Sequence, residues 1–153
     1  MKYIRQATEQ DVSRIGEILV FNNRINFLPI FQDEQYSFGE MQVLNIARQF
    51  LEEPEKLRNT YVYDDGIVRG LICLDGQEVV KLYVDPFFQS RGIGQALLQY
   101  AVEQHDADYL WTLEKNVRGI AFYKRNGFYP TEEKTFEEDT TEYLVKLRRT
   151  IHN

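Results

Sequence analysis

At 153 residues the chain has the size of one domain, long enough to bury a core without a metal or a disulfide to staple it. Apolar residues make up 43% and charged residues 27%, which excludes a disordered or collagen-like chain. Lys and Arg number 18 against 24 Asp and Glu, and the resulting net charge of −6 argues against a nucleic-acid or anionic-membrane binder while leaving room for a cationic partner.

In chain order, Tyr3-Ile4-Arg5 reads as a short strand. Thr8 then stands as an N-cap, with Asp11 where a capping box prefers Glu, and Val12, Ile15, Ile18 and Leu19 give the helical stripe that follows. A second helix is marked by Val43, Ile46, Ala47, Phe50 and Leu51 at helical spacing. Between the two lies the segment from Phe21 to Phe38, aromatic and Asn-containing with Pro29 inside it. It is too apolar for an idle surface loop and is expected to fold over something.

The centre of the chain reads as three strands, Thr60 to Tyr63, Ile67 to Leu74 and Glu78 to Val84. The turns between them, Asp64-Asp65-Gly66 and Asp75-Gly76, signal consecutive hairpins and so an antiparallel meander. The pattern then alternates. Gly94 to Gln104 is helical, with Ile93, Ala96, Leu97, Tyr100 and Ala101 on one face; Tyr109 to Leu113 is a strand, and Val117 to Asn126 a helix. Phe128 to Thr131 and Thr141 to Arg148 close the chain as strands. The order β-α-α-β-β-β-α-β-α-β-β predicts an α/β fold with a mixed central sheet flanked by helices. No repeat or linker interrupts it, so 1–153 is expected to be a single domain.

Cys73 is the lone cysteine, set in an apolar run, and reads as a buried strand residue. With only His105 and His152 it cannot assemble a zinc site, so no metal is expected; His105 reads as an exposed loop residue and His152 as a tail residue. No apolar stretch approaches membrane-spanning length and no signal-peptide pattern opens the chain, so a cytoplasmic protein with no membrane partner is expected.

Two constellations carry chemistry. Gln89-Ser90-Arg91-Gly92-Ile93-Gly94 lies between a strand ending at Val84 and the next helix. Glycines let the backbone approach a ligand, and unpaired N–H groups with the helix dipole favour an anion, so a phosphate or pyrophosphate site is expected unless the turn is only a tight connection. A Walker A loop is excluded because no Gly-Lys-Ser/Thr follows, and a dinucleotide fingerprint fails at Leu97. The second constellation is Asn116-Val117-Arg118-Gly119-Ile120-Ala121-Phe122-Tyr123-Lys124-Arg125-Asn126-Gly127-Phe128. Together the two resemble the GCN5-related N-acetyltransferase family. Gln89-x-x-Gly92-x-Gly94 fits that family's pyrophosphate loop, and Asn116 to Phe128 is similar to its N-x-x-A-x-x-F-Y-x-x-x-G-F segment, with Gly119 in place of the common Ala. The element order matches the acyl-CoA N-acyltransferase fold from Tyr3 to Leu147.

The resemblance implies an acetyl-CoA-dependent N-acetyltransferase that transfers acetyl directly to a primary amine in a ternary complex. Backbone amides of Gln89, Ser90, Arg91, Gly92, Ile93 and Gly94 would hold the pyrophosphate, and Leu82, Tyr83 and Val84 would pair with the pantetheine arm. Asn116 would bond that arm as well as cap its helix, and Tyr123 would protonate or stabilise the departing thiolate, unless it is core alone. Arg91, beside the loop, is the best-placed cation for the cofactor's charge. A protonated amine needs a base. Glu78, which period-two counting puts on one side of its strand with Val80, Leu82 and Val84, is the candidate, with Glu114 or a water relay also open. Asn22, Asn23, Arg24, Phe27 and Phe31 are the candidate acceptor contacts, although the same composition would suit a homodimer surface. A small-molecule amine is the favoured acceptor. A protein N-terminus or lysine is the alternative, and a catalytically inactive acyl-CoA sensor is the reading from another class.

Overall fold

Asp11 closes the first helical turn as the spacing predicts: the Thr8 N–H donates to its Oδ2 at 2.8 Å, while Asp11 N–H donates to the Thr8 carbonyl at 2.9 Å. Arg5 reaches the same carboxylate with two nitrogens, at 2.8 and 2.9 Å, and Asp64 with another contact at 3.0 Å. Arg5 therefore ties the first strand to the first helix and to the second strand. Its guanidinium, aided by the Thr8 N–H, holds the buried Asp11 carboxyl below the ordinary carboxylate range against the opposing effect of burial. A lowered native pKa stabilises the fold above the unfolded carboxyl's pKa, and that contribution is lost as pH falls through the native value. Asp11→Asn should thus cost roughly 1–3 kcal/mol at neutral pH and much less in strong acid. Urea unfolding of both proteins across that pH range measures the difference.

The computed structural model describes residues 1–149, so His152 lies outside the described residues. Strands β1 (Ile4–Gln6), β2 (Thr60–Asp64), β3 (Val68–Asp75), β4 (Glu78–Val84), β5 (Tyr109–Leu113), β6 (Phe128–Phe136) and β7 (Tyr143–Arg149) form one sheet in the order β1-β2-β3-β4-β5-β7-β6. Every pairing is antiparallel except β4 with β5. The helices are α1 (Val12–Asn22), α2 (Leu28–Phe31), α3 (Val43–Glu52), α4 (Pro54–Arg58), α5 (Ile93–His105) and α6 (Val117–Arg125). The mixed sheet and the meander stand as predicted.

Alternation along the strands sends side chains to two cores, one on each face of the sheet. On one face α1 and α3 pack Ile15, Ile18, Leu19, Ile46 and Phe50 against Val62, Leu71 and Cys73. On the other, α5 packs Ile93, Leu97 and Leu98 against Ile72, Leu110, Phe128 and Leu147. Cys73 is buried as expected and bonds the Thr60 hydroxyl at 3.2 Å. Among the described residues no helix is long and apolar enough to cross a membrane.

Several details depart from the sequence reading. The segment from Phe21 to Phe38 is helical: a π-helical turn at Asn23–Phe27, then α2, then a second π-helical turn at Gln35–Glu40, where Met41 N–H donates to the Tyr36 carbonyl. The short α4 was not foreseen. Leu51 is exposed because it rotates off the buried stripe at the end of α3. β6 runs five residues beyond Thr131, to Phe136. His105 is the last residue of α5 and packs beside Tyr61 at 4.8 Å and Tyr100 at 5.5 Å, so it is no loop residue.

One irregularity repositions a candidate. Between Cys73↔Lys81 and Leu74↔Val79 the β3–β4 register slips, so Val80 is an extra, bulged residue on β4. Before the bulge Val79 faces the α5 core. After it, Leu82 and Val84 face that core while Tyr83 faces the α1 core. Glu78 therefore does not share a face with Leu82 and Val84, because the bulge shifts the period by one residue.

Candidate functional site

The parallel pair β4–β5 is joined only at Glu78↔Tyr109 and Val79↔Leu110. Beyond those positions both strands continue without pairing each other, β4 held by β3 and β5 by β7. The sheet therefore forks in its middle, and the β4 edge from Val80 to Val84 is left without a strand partner on its β5 side. An unpaired edge inside a sheet offers main-chain donors and acceptors to an extended ligand, which is what Leu82, Tyr83 and Val84 were expected to do. The Val84 carbonyl itself already accepts from Asn22 Nδ2 at 3.0 Å and from Gln89 Nε2 at 3.4 Å.

At the open end of the fork the chain turns into α5. Asp85 is buried, accepts from the Phe87 N–H at 2.9 Å and pairs with Arg14 at 2.8 Å, which anchors the start of the turn. Ser90 has φ 65° and Gly92 φ 80°, a left-handed pair of positions that aims successive N–H groups outward. Among the described residues no hydrogen bond takes the N–H of Gln89, Ser90, Arg91, Gly92, Ile93 or Gly94. A Cβ built on Gly92 would meet nothing within 4 Å, whereas one on Gly94 would touch the Phe122 ring at 3.4 Å. Gly92 thus fronts open space and Gly94 lets α5 lie close to α6. Arg91 is exposed beside the loop, with its guanidinium 5.5 Å from the Phe88 ring. Six free amides, a helix N-terminus and a nearby arginine fit a pyrophosphate.

Asn116 caps α6: its Oδ1 accepts from the Gly119 N–H at 3.1 Å and its Nδ2 donates to Thr112 Oγ1 at 3.3 Å. A Cβ on residue 119 would crowd the Asn116 side-chain amide, which would have to shift. Further along α6, Tyr123 packs against Phe122 at 5.3 Å and Phe128 at 6.5 Å, with the core on the α5 face. Tyr83 belongs to the core on the opposite face, yet an ionised Tyr123 would raise its pKa further. Burial pushes both well above the ordinary phenol value, so both stay protonated donors through neutral pH. Neither hydroxyl hydrogen-bonds another described residue.

On the α1 face the fork opens into a cavity of about 1220 Å³. Asn23, Phe27 and Phe31 line one wall, and Val80, Lys81 and Tyr83 of β4 the floor. Phe27 stands edge-on to Tyr83 at 6.1 Å. Asn22 and Arg24, grouped with these by sequence, do not line it. Asn22 is a buried clamp, donating to the Ile18 carbonyl at 2.8 Å as well as to Val84, and accepting from Asn26 at 3.1 Å. Arg24 donates to the carbonyls of Ser37 at 3.1 Å and Met41 at 3.3 Å and lies 4.9 Å from the Phe38 ring, which latches the two π-helical turns together. Glu78 sits at the closed end of the fork and does not line the cavity. Burial, then the Asp75 carboxylate, raises its pKa above the usual carboxylate range, with Lys146 opposing. Glu114 is bound to Lys134.

Sequence reasoning missed two groups. Lys81 lines the cavity, and burial lowers its pKa. The β6–β7 connection, Glu137 to Glu142, forms the far wall; its Glu137-Glu138-Asp139 run was the available signal and reads from sequence as a solvated turn.

Comparison with known proteins agrees with this geometry. Residues 56–130, from α4 through the loop, α5 and α6 into β6, match the acetyltransferase (GNAT) domain. A peptidyl-lysine N-acetyltransferase of Escherichia coli, YiaC, is 34% identical over 67 residues, covering 43% of this chain and 46% of the relative, so the match spans less than half of that protein. The apo form of YjaB from Escherichia coli superposes with a TM-score of 0.78 at 21% identity over 95% of each chain. PaiA N-acetyltransferase from Thermoplasma acidophilum, solved with coenzyme A, gives a TM-score of 0.68 at 18% identity over 95% of this chain and 97% of that one.

Proposed function

From a chain that belongs to the GCN5-related N-acetyltransferase family, we propose an enzyme that moves the acetyl group of acetyl-CoA directly to a primary amine. The single observation that carries this reading is the fork between β4 and β5 opening beside six unpaired loop amides. The loop, with Arg91, holds the pyrophosphate, the free β4 edge from Leu82 to Val84 orients the pantetheine arm, and Asn116 fixes the start of α6 beside it. Acetyl-CoA supplies the activated acyl group when bound. Tyr123 donates to the sulfur side of the fork, and the cavity on the opposite side receives the amine.

The peptidyl-lysine activity for which the relatives are named moves the favoured acceptor from a small molecule to a lysine side chain. An open cavity walled by the β6–β7 connection, rather than an enclosed pocket, supports the same choice. Free CoA release with a lysine peptide and with small amines, each at saturating acetyl-CoA, tests both. Thiol release from no amine, with acetyl-CoA still bound, would leave a sensor instead.

Glu78 serves as the base through water, since it stands two residues before the free edge that begins at Val80 rather than in the cavity. Only its carboxylate form accepts a proton, so kcat/KM should rise with pH through its raised pKa, above the ordinary carboxylate range. Glu78→Gln should lower kcat/KM about 10- to 100-fold and erase that acidic limb. An unchanged profile moves the base elsewhere.

A further inference from the structure

The Asp85 N–H donates to the Arg69 carbonyl of β3 at 2.9 Å. Across that same planar peptide the Val84 carbonyl points the opposite way, into the fork. Alternation along the regular β3–β4 register gives the main-chain groups of Leu82 the same direction. The Val84 carbonyl is thus the last acceptor of the free edge before the loop begins. Asn22 Nδ2 reaches it from α1 at 3.0 Å, and Gln89 Nε2 reaches it from the loop only at 3.4 Å. A carbonyl has two lone pairs. Asn22 holds one of them, and the long Gln89 contact is the one that an incoming ligand amide replaces most easily.

The hold belongs to a whole face of α1. Arg14, Ile18 and Asn22 follow at intervals of four and stand in one stripe. Arg14 pairs with Asp85 at 2.8 Å and donates to the Val68 carbonyl at 2.9 Å, so α1 grips two consecutive residues at the end of β4. Asn22 is only 3% exposed, and its amide group also donates to the Ile18 carbonyl at 2.8 Å. Its Oδ1 accepts from Asn26 Nδ2 at 3.1 Å. Asn26 lies in the π-helical turn Asn23–Phe27, whose Asn23 and Phe27 line the cavity. One buried side chain therefore joins the edge offered to the cofactor and a wall of the cavity beside it.

Resting on the acetyl-transfer reading, we propose that Asn22 is a positioning residue for that reaction: it fixes the Val84 carbonyl for the pantetheine arm and, through Asn26, sets the cavity wall that meets the acceptor. It touches neither reactant. It keeps the two at a constant separation, which direct transfer demands, since a misplacement of roughly 1 Å costs on the order of 100-fold in rate. The two binding events are thereby coupled. An arm lying on the β4 edge steadies the Asn23–Phe27 turn before the acceptor arrives.

Two variants on the full chain cut the link at different points. Asn22→Leu keeps the size of the side chain and removes its bonds to Ile18, Val84 and Asn26. Asn26→Ala, at an exposed position, removes only the bond to Asn22. With a single-lysine peptide as acceptor, Asn22→Leu should lower the single-turnover rate about 10- to 100-fold, while acetyl-CoA affinity shifts less than about threefold because the loop amides are untouched. Asn26→Ala should raise the peptide KM about 3- to 10-fold with Tm unchanged. The double variant should show the same peptide KM as Asn22→Leu alone, because the link is already cut. Hydrogen exchange supplies a reading without turnover. Saturating CoA should slow exchange at Asn23–Phe27 as well as in the loop of the unaltered chain, and in the loop alone of Asn22→Leu. A merely structural asparagine would lower Tm and leave both the single-turnover rate, well below melting, and the exchange pattern unaltered; that result overturns the proposal. Additive effects in the double variant overturn it too. Should Asn22→Leu fail to fold, Asn26→Ala decides, and an unchanged peptide KM sinks the link. Absence of thiol release from the unaltered chain, with CoA still protecting Asn23–Phe27, overturns the acetyl-transfer reading alone.

Discussion

Gly92→Glu should remove acetyl-CoA binding from a chain that remains folded. Gly92 has φ 80°, and the direction in which its side chain would project is open for at least 4 Å. Within the protein, then, a larger residue meets no atom; its intrinsic cost is the left-handed backbone, about 1–2 kcal/mol. That is small against a domain's stability, and Gly92 lies on the surface before α5. The space it would fill lies beside the unpaired N–H groups of Gln89 to Gly94, which with the helix dipole would draw the pyrophosphate of the proposed cofactor. Glutamate puts both bulk and a negative charge there. Affinity should fall on the order of 100-fold or more, since lost amide bonds and charge repulsion act together. Gly92→Ala carries the same backbone cost without the charge and should lose far less. Isothermal calorimetry on both variants, with thermal melts to confirm folding, reads the difference. Unchanged affinity in folded Gly92→Glu removes the loop from the site.

The sequence reading reached the fold because its signals are local. The Thr8–Asp11 box, the two Asp-Gly turns and the apolar stripes of α1 and α5 each depend on neighbours a few residues away. The turn at Gln89 to Gly94, with its unpaired N–H groups, was legible for the same reason. What escaped depends on pairing between distant segments. The Val80 bulge is a property of two strands in register, so counting along β4 alone put Glu78 on the wrong face. Asn22 and Arg24 stand beside Asn23 and Phe27 in sequence, and nothing in that sequence says that the first two find backbone carbonyls while the others face the cavity. The acidic wall is a still longer-range matter: Glu137 to Glu142 line the same cavity as Phe27 and Phe31 only because the sheet brings the β6–β7 connection over the fork.

Tyr123→Phe should lower kcat about 10- to 1000-fold, in the range of single-donor removals at developing negative charge, with acetyl-CoA affinity little changed. The structure makes this substitution unusually clean. The ring is fixed by Phe122 and Phe128, contacts that phenylalanine keeps. The hydroxyl bonds no other described residue, so its loss breaks no native bond and Tm should hold or rise slightly. Burial keeps the phenol protonated well beyond neutral pH, which suits a donor to a thiolate whose own pKa is near ~8.5. Transfer of the proton need not be complete; a bond that strengthens as charge collects on sulfur lowers the barrier. Tyr83→Phe is the matched control. Its phenol is also buried but lines the cavity proposed to receive the acceptor, so its loss should act mainly on the acceptor's KM. Single-turnover kinetics with a pre-bound acetyl-CoA complex isolates the chemical step in both variants. A Tyr123→Phe enzyme with near-normal single-turnover rate and a lowered Tm would return Tyr123 to the core.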